Sequence, residues 1–252
     1  MSQCPRCKID NPLGAVSCQS CGSPLVSWGR MLAPGEAAAK APRPRPSVTV
    51  RVVRADGGPE AAFMLKKDEA LVGSAGDILL MDDPFVARAQ ARLYFQGGAL
   101  MVEDVGGGNG VFARIRAESA LAAGSEIRCG RQRLVLEPMA PPCEPPTWGS
   151  PDRGYRARLV QLLEGGRRGD AFALREGDNL LGREVGDITF PGDGFVSGRH
   201  AVVTVSAGLV KIRDAGSSNG TFLRLGAPMH VNQGDHLLIG RHLLKLDVAP
   251  AA

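Results

Sequence analysis

Four cysteines near the start of the chain have the types and spacing of a metal site. Cys4 and Cys7 form one Cys-x2-Cys pair, and Cys18 and Cys21 form a second pair after ten intervening residues. Each pair can direct two thiolates at one point, and two pairs complete the tetrahedral sulfur set that Zn²⁺ prefers. The segment is too small to fold on an apolar core, so metal binding would supply its folding free energy. The sequence predicts one structural Zn²⁺ ion and no catalysis by it.

Three short motifs in the C-terminal part carry groups suited to an anion. They are Gly182-Arg183, Ser197-Gly198-Arg199-His200 and Ser217-Ser218-Asn219-Gly220-Thr221. Their guanidinium, hydroxyl and amide groups are hydrogen-bond donors, and no carboxylate is interleaved at these positions. Arginine makes charge-assisted bonds to phosphate, and an Asn side chain can both donate to and accept from a peptide group. The motifs predict a receptor for a phosphate group.

The elements that must position these motifs are predicted to be short strands. Glycine-bearing turns separate β-prone runs about every eight to twelve residues, a spacing typical of a β-sandwich. The composition agrees, since Gly 33 and Pro 18 accompany only 5% aromatic residues. No run of ten or more residues has a helical period. An all-β fold is therefore predicted, with the motifs at strand ends or in loops, where binding residues are commonly displayed.

The motif-bearing segment repeats an earlier one at an offset of about 110 residues, which indicates two copies of one fold. Gly76-Asp77-Ile78 matches Gly186-Asp187-Ile188, and Asn109-Gly110 matches Asn219-Gly220. Proline-rich stretches flank the first copy and read as linkers. The predicted organisation is a metal-binding segment at 1–24, a Pro/Ala-rich linker at 25–47, a first β-sandwich at 48–138, a Pro-rich linker at 139–154 and a second β-sandwich at 155–249.

The three motifs together, in this order on a strand-rich segment, resemble the forkhead-associated (FHA) domain, and residues 1–24 resemble the small zinc ribbon of many bacterial multidomain proteins. The FHA family is a β-sandwich that recognises phosphothreonine in partner proteins. The resemblance implies that Arg183 and Ser197 contact the phosphate, that Ser218 adds a donor and that Asn219 holds the ligand backbone. Gly198 stands where many members have a phosphate-gripping side chain, and Arg199 is a candidate to compensate. Structural support would come from Gly182, His200, Gly220 and Thr221.

The first copy lacks these groups. Ser74 stands at the position of Arg183, Ala87 at that of Ser197 and Gln90 at that of His200, whereas the Asn-Gly pair is retained. We expect residues 48–138 to keep the fold without phosphate-dependent binding. This degenerate copy would instead pack on its twin or bind unmodified protein.

The sequence thus predicts a non-enzymatic adaptor in bacterial Ser/Thr kinase signalling that binds phosphothreonine-containing proteins, such as a kinase or its substrate. The alternative is a nucleic-acid-associated regulator that uses the zinc ribbon, Arg43 and Arg45. That hypothesis rests on residues 1–47, where six Lys or Arg against two Asp or Glu account for the whole net charge of +4. The two larger segments are nearly neutral and lack the dense basic stripe typical of nucleic-acid binding, so nucleic acid is the less favoured partner.

The sequence also bears on the hydrolase and membrane-protein classes. Residues 216–220 match the Gly-x-Ser-x-Gly elbow of hydrolases, but that motif requires a strand-to-helix turn, and a strand is predicted after it. No apolar run approaches the roughly twenty residues of a membrane-spanning helix, and the polar N-terminus has no signal-peptide core. A cytoplasmic location without membrane contact is expected.

Overall fold

The computed structural model describes residues 2–4, 7–12, 18–21, 45–54, 61–141 and 143–249. The predicted linker at 25–47 lies outside these ranges except for its last three residues. The chain divides into two compact units, Met1–Arg43 and Pro44–Ala252. Within the described ranges every regular element is a strand, apart from the 3-10 turn η1 at Glu164–Gly166, so the all-β prediction is confirmed. No helix among the described residues is long and apolar enough to cross a membrane.

The N-terminal unit contains a two-stranded antiparallel pair, β1 (Ser2–Gln3) and β2 (Asp10–Asn11). A tight turn follows β1, in which the Lys8 amide donates to the Cys4 carbonyl and the Cys4 amide donates to the Ile9 carbonyl, both at 2.9 Å. Lys8 adopts a φ of 64° to close this turn. The turn therefore holds the first cysteine pair on a short hairpin.

The larger unit contains the two sequence repeats, each of which forms ten strands. The first repeat forms β3 (Ser47–Arg54), β4 (Ala61–Met64), β5 (Glu69–Gly73), β6 (Ile78–Leu79), β7 (Ala91–Gln96), β8 (Ala99–Asp104), β9 (Val111–Arg114), β10 (Ser119–Leu121), β11 (Glu126–Cys129) and β12 (Gln132–Pro138). The second forms β13 (Ala157–Leu162), β14 (Arg168–Leu174), β15 (Gly177–Gly182), β16 (Ile188–Thr189), β17 (Ala201–Ser206), β18 (Leu209–Asp214), β19 (Thr221–Arg224), β20 (Met229–His230), β21 (Asp235–Ile239) and β22 (His242–Ala249).

The two repeats exchange their last three strands. One five-stranded sheet has the order β6-β5-β7-β8-β20, and the other has the order β16-β15-β17-β18-β10. A ten-stranded sheet runs β4-β3-β22-β21-β9-β19-β11-β12-β13-β14 across both repeats. The first sandwich therefore consists of β3–β9 with β20–β22, and the second consists of β13–β19 with β10–β12. This differs from the predicted organisation, in which each repeat closes its own sandwich.

The apolar cores follow the exchange. Val50 and Leu93 of the first repeat are buried with Leu244 of the second. Conversely, Leu159 of the second repeat is buried with Leu134 of the first. Residues equivalent in the two repeats are similar in type and burial, so either set of closing strands can complete either sandwich. That interchangeability is the physical reason why the sequence repeat does not reveal the exchange.

The two sandwiches meet where β9 pairs with β19 in the middle of the ten-stranded sheet, with Ala113 opposite Leu223. The described residues between β12 and β13 form no helix or strand, and they connect two strands that are neighbours in the same sheet. The second sandwich keeps all three predicted motifs within its own repeat, at the end of β15 and in the loops that precede β17 and β19. The exchange therefore leaves the candidate site intact but closes its sandwich with strands from the other repeat.

Candidate functional site

The first two motifs are joined at the ends of β15 and β17. Gly182 ends β15, and the next backbone amide, that of Arg183, donates to the Ser197 carbonyl at 2.9 Å. A Cβ atom on Gly182 would lie 2.1 Å from the Gly198 carbonyl oxygen and 2.3 Å from that of Val185. Only glycine fits this close approach of backbones. The support predicted for Gly182 thus has a steric basis: it lets the two loops touch.

The third motif is tied to the second by hydrogen bonds. The Ser197 hydroxyl oxygen accepts from the Ser218 amide at 3.1 Å, and Asn219 Nδ2 donates to the Phe195 carbonyl at 2.8 Å. Ser197 is half-buried, whereas Ser218 and Asn219 are exposed. The structure therefore brings together the predicted residues of all three loops at one surface of the second sandwich.

His200 lies buried beneath this surface and holds two of the loops. Its Nδ1 accepts from the Ser197 amide at 3.1 Å, so Nε2 carries the proton and donates to the Gly220 carbonyl at 3.1 Å. Burial lowers the pKa of His200 below its usual range, which keeps the ring neutral at pH 7. A neutral ring with both nitrogens engaged is a structural support.

Asp214 is a second support, and sequence reasoning did not assign it this role. Its carboxylate accepts from the Ser217 and Thr221 hydroxyls at 2.6 and 2.7 Å, and from the Gly216 and Ser217 amides at 2.9 and 2.8 Å. Burial raises the pKa of Asp214, but these hydrogen bonds outweigh it and hold the pKa below its usual range. The Ser217 hydroxyl also accepts from the Gly220 amide at 3.0 Å. The sequence signal that could have indicated this support is the presence of aspartate at the equivalent position, Asp104, of the first repeat.

The two arginines of the motifs differ in their surroundings. Arg183 Nε donates to the Glu184 carboxylate at 3.1 Å, and 37% of the Arg183 side chain and 67% of that of Glu184 are exposed. Arg199 is exposed and makes no hydrogen bond or ion pair with any residue that the structure describes. The Arg183 guanidinium is thus paired with an exposed carboxylate, whereas the Arg199 guanidinium has no partner among the described residues.

Comparison with known proteins identifies this region. The family model of the FHA domain matches residues 179–240, which span all three motifs. Residues 179–240 are an FHA domain. FHA domains are interaction modules rather than catalytic ones. No curated protein matches the chain.

Solved structures with likeness to the chain include the FHA domain of the CT664 protein from Chlamydia trachomatis, at 12% identity and a TM-score of 0.32 over 80% of this chain and 96% of that one. A second comes from a structural and functional analysis of phosphothreonine-dependent FHA domain interactions, at 27% identity and a TM-score of 0.21 over 34% and 90%. A third is Mycobacterium tuberculosis EmbR in complex with a low-affinity phosphopeptide, at 25% identity and a TM-score of 0.21 over 37% and 24%.

The first repeat reproduces the scaffold of the FHA loops without the guanidinium of Arg183 and the hydroxyl of Ser197. The Ser74 amide donates to the Ala87 carbonyl at 3.0 Å, as the Arg183 amide does to Ser197. Gln90 Oε1 accepts from the Ala87 amide at 3.2 Å, which is the role of His200 Nδ1. Asn109 Nδ2 donates to the Phe85 carbonyl at 2.8 Å, but its Oδ1 accepts from Arg133 Nη1 at 3.4 Å. The amide that would hold a ligand is therefore already engaged.

The hydrolase hypothesis finds no support in the FHA loops. Strand β19 follows the Gly-x-Ser-x-Gly motif directly, where a nucleophile elbow requires a helix. Both nitrogens of His200 are engaged by backbone groups, and the Asp214 carboxylate is engaged by Ser217 and Thr221. No catalytic chain from carboxylate to imidazole to serine exists among these three groups.

The structure describes one of the two arginines named for the nucleic-acid hypothesis. Arg45 is ion-paired with Asp68, donates to the Lys66 carbonyl at 2.8 Å and lies with its guanidinium carbon 5.6 Å from the centroid of the Phe95 ring. Its side chain is thus tied to the first sandwich. Arg43 lies outside the described residues.

The four N-terminal cysteines cluster as predicted. Their sulfur atoms lie within 4.8 Å of one another, with Cys4 to Cys21 at 3.6 Å and Cys7 to Cys18 at 3.5 Å. Tetrahedral coordination with bonds of about 2.3 Å requires sulfur separations of about 3.8 Å, so the cluster can bind a metal ion. The amides of Cys21 and Ser20 lower the pKa of Cys18 to about 6. Asn11, which is buried, donates to Cys18 Sγ at 3.7 Å.

Proposed function

We propose that the protein is a phosphothreonine-dependent adaptor whose FHA domain binds phosphorylated partner proteins. The observation that supports this most strongly is the convergence of three loops. The Arg183 amide is bonded to Ser197, the Ser197 hydroxyl to the Ser218 amide, and His200 links Ser197 to Gly220 from below. The donors are thus preorganised around one surface before any ligand binds, which reduces the ordering cost of binding.

Arg183 is the proposed phosphate anchor. Its exposed pair with Glu184 is worth only about 0–1 kcal/mol, whereas each hydrogen bond from a guanidinium to phosphate contributes about 1.5–3 kcal/mol. A phosphate dianion can therefore displace the carboxylate. Ser197 and Ser218 are placed to add donors, and the uncommitted guanidinium of Arg199 is the proposed compensation for Gly198.

Asn219 is the proposed contact to the ligand backbone. Its Nδ2 is used to fix the Phe195 carbonyl, but its Oδ1 accepts no hydrogen bond from any described residue. An amide oxygen in this state can accept a peptide N–H of the ligand. The Asn109 oxygen of the first repeat is occupied by Arg133, and this difference supports binding by the second repeat alone.

A peptide array tests this function. The full chain is applied to peptides that carry phosphothreonine, phosphoserine or unmodified threonine in matched sequence contexts. We expect binding that requires phosphothreonine. Equal binding of the unmodified peptides would contradict the proposal, because the loops would then act without their charge clamp.

We further propose that Cys4, Cys7, Cys18 and Cys21 hold one structural Zn²⁺ ion. Four sulfur ligands leave no open coordination position, so the ion would stabilise the hairpin without activating water. The partners of the FHA domain are proposed to be a bacterial Ser/Thr kinase or its substrate in the cytoplasm. The chain itself would recruit these partners without catalysing a reaction.

A further inference from the structure

The strand exchange places Arg131, a residue of the first repeat, beside the FHA loops of the second. Its backbone amide donates to the buried Asp193 carboxylate at 2.8 Å, which fixes the turn between β11 and β12. Its guanidinium carbon lies 4.8 Å from the centroid of the Phe195 ring. The carbonyl of that same Phe195 accepts from Asn219. Arg131 is therefore one residue removed from the proposed backbone-binding group, and it is exposed with no ion pair to a described residue.

Arg114, also from the first repeat, packs against the same loop. A Cβ atom on Gly220 would lie 2.3 Å from Arg114 Nε, so the side chain covers the glycine that follows Asn219. Arg114 is half-buried, and its side chain makes no hydrogen bond or ion pair with the described part of the chain. Two guanidinium groups from the first repeat thus stand on the Asn219 side of the site, and neither is neutralised by a carboxylate.

The equivalent arginine of the first site is neutralised. Arg224 packs against Gly110, but it pairs with Glu126 at 2.7 Å and with Asp104 at 3.6 Å. The second repeat has His236 at the position of Glu126. Burial, and then the charge of Arg114, lower the pKa of His236, so it is neutral at pH 7 and supplies no counter-charge. Of the two equivalent arginines, the one without a carboxylate partner therefore lies at the site that keeps the phosphate-binding residues.

We propose that Arg131 and Arg114 form a cationic flank, supplied by the first repeat, that makes the FHA site select phosphothreonine peptides with acidic residues beside the phosphothreonine. The proposal rests on the function proposed above and deepens it by naming the class of partner sequence. A positive flank on the receptor and negative residues on the ligand are complementary, which raises the association rate and disfavours peptides with positive flanking residues. The first repeat would thereby contribute two arginines to the site of the second repeat, while its own equivalent loops bind no phosphate.

The test compares phosphothreonine peptides with alanine at all flanking positions against versions with aspartate at each flanking position in turn. The full chain, Arg131→Ala and Arg114→Gln are titrated with each peptide. Arg241→Ala is the matched control, because Arg241 lies with its guanidinium carbon 5.0 Å from the Phe85 ring centroid at the first site and its amide bonds Asp83 at 2.6 Å. An exposed charge pair is worth up to about fivefold in affinity.

We expect aspartate on at least one side to tighten binding by up to about fivefold, and Arg131→Ala and Arg114→Gln each to reduce that preference while the alanine-flanked peptide binds as before. Arg241→Ala should retain the preference. An aspartate preference that survives both Arg131→Ala and Arg114→Gln would overturn the flank, as would phosphate-dependent binding with no acidic preference; neither result affects the proposed function. A chain that binds no phosphothreonine peptide would overturn both.

Discussion

Leu134 and Leu244 test the strand exchange, because they are equivalent in the two repeats yet lie in opposite cores. Both are fully buried. Leu134, from the first repeat, packs in the second sandwich with Leu159, whereas Leu244, from the second repeat, packs in the first sandwich with Val50. Leu134→Ala should therefore weaken the second sandwich, and Leu244→Ala the first.

The expected magnitude follows from the burial of the two side chains. A buried Leu→Ala substitution costs about 2–5 kcal/mol, and the cost is highest where the surroundings cannot collapse. Both side chains lie on interior strands of the ten-stranded sheet, with β12 between β11 and β13 and β22 between β21 and β3. Their surroundings are therefore rigid, and about 3 kcal/mol or more is expected at each position. At 1.4 kcal/mol per tenfold change, the opening equilibrium of the affected sandwich rises about a hundredfold.

Hydrogen exchange of the full chain, followed by mass spectrometry, reads out which strands open. Leu134→Ala should accelerate exchange in β13, β15 and β17 more than in β3, β5 and β7, and Leu244→Ala should do the reverse. Acceleration confined to the repeat that carries the substitution would refute the exchanged topology, since each repeat would then close its own sandwich.

Two other predictions concern His200 and the cysteines. His200→Ala leaves the Ser197 amide and the Gly220 carbonyl without partners, so it should lower the free energy of unfolding by about 2–4 kcal/mol in a denaturant titration. His200→Gln introduces the residue that the first repeat has as Gln90 and should cost less. Equal costs for the two variants would contradict the support role. Because the pKa of His200 is lowered in the folded chain, the unfolded chain binds protons more readily, so the free energy of unfolding should fall as pH drops below about 6.5, and less steeply in His200→Gln. Purified chain should contain one equivalent of zinc by elemental analysis and Cys18→Ser none. Maleimide should label the four N-terminal thiols only after chelation, with the labelled sites located by mass spectrometry because the exposed Cys143 reacts in either state; rapid labelling of the N-terminal thiols in the untreated chain would contradict the zinc site.

The sequence predicted the local features well because they depend on local chemistry. Alternating apolar residues and glycine turns specify the strands, and residues such as Arg183 and Asn219 are recognisable from their motifs alone. The support by Asp214 was missed because its bonds to Ser217 and Thr221 depend on how the loop folds back. The strand exchange was missed because Leu134 and Leu244 satisfy the same environment. The position of Arg131 beside the FHA site follows only once the exchange is known.

The claim that Arg183 anchors a phosphothreonine is tested most directly by fluorescence-anisotropy titration of the full chain with the strongest phosphothreonine peptide of the array. Arg183→Ala removes charge-assisted bonds of about 1.5–3 kcal/mol each from a partly exposed site, so affinity should fall about thirtyfold or more. Ser74→Ala, the equivalent position of the first repeat, should leave affinity unchanged. Undiminished binding by Arg183→Ala would contradict the account, because the phosphate would then be recognised elsewhere in the chain.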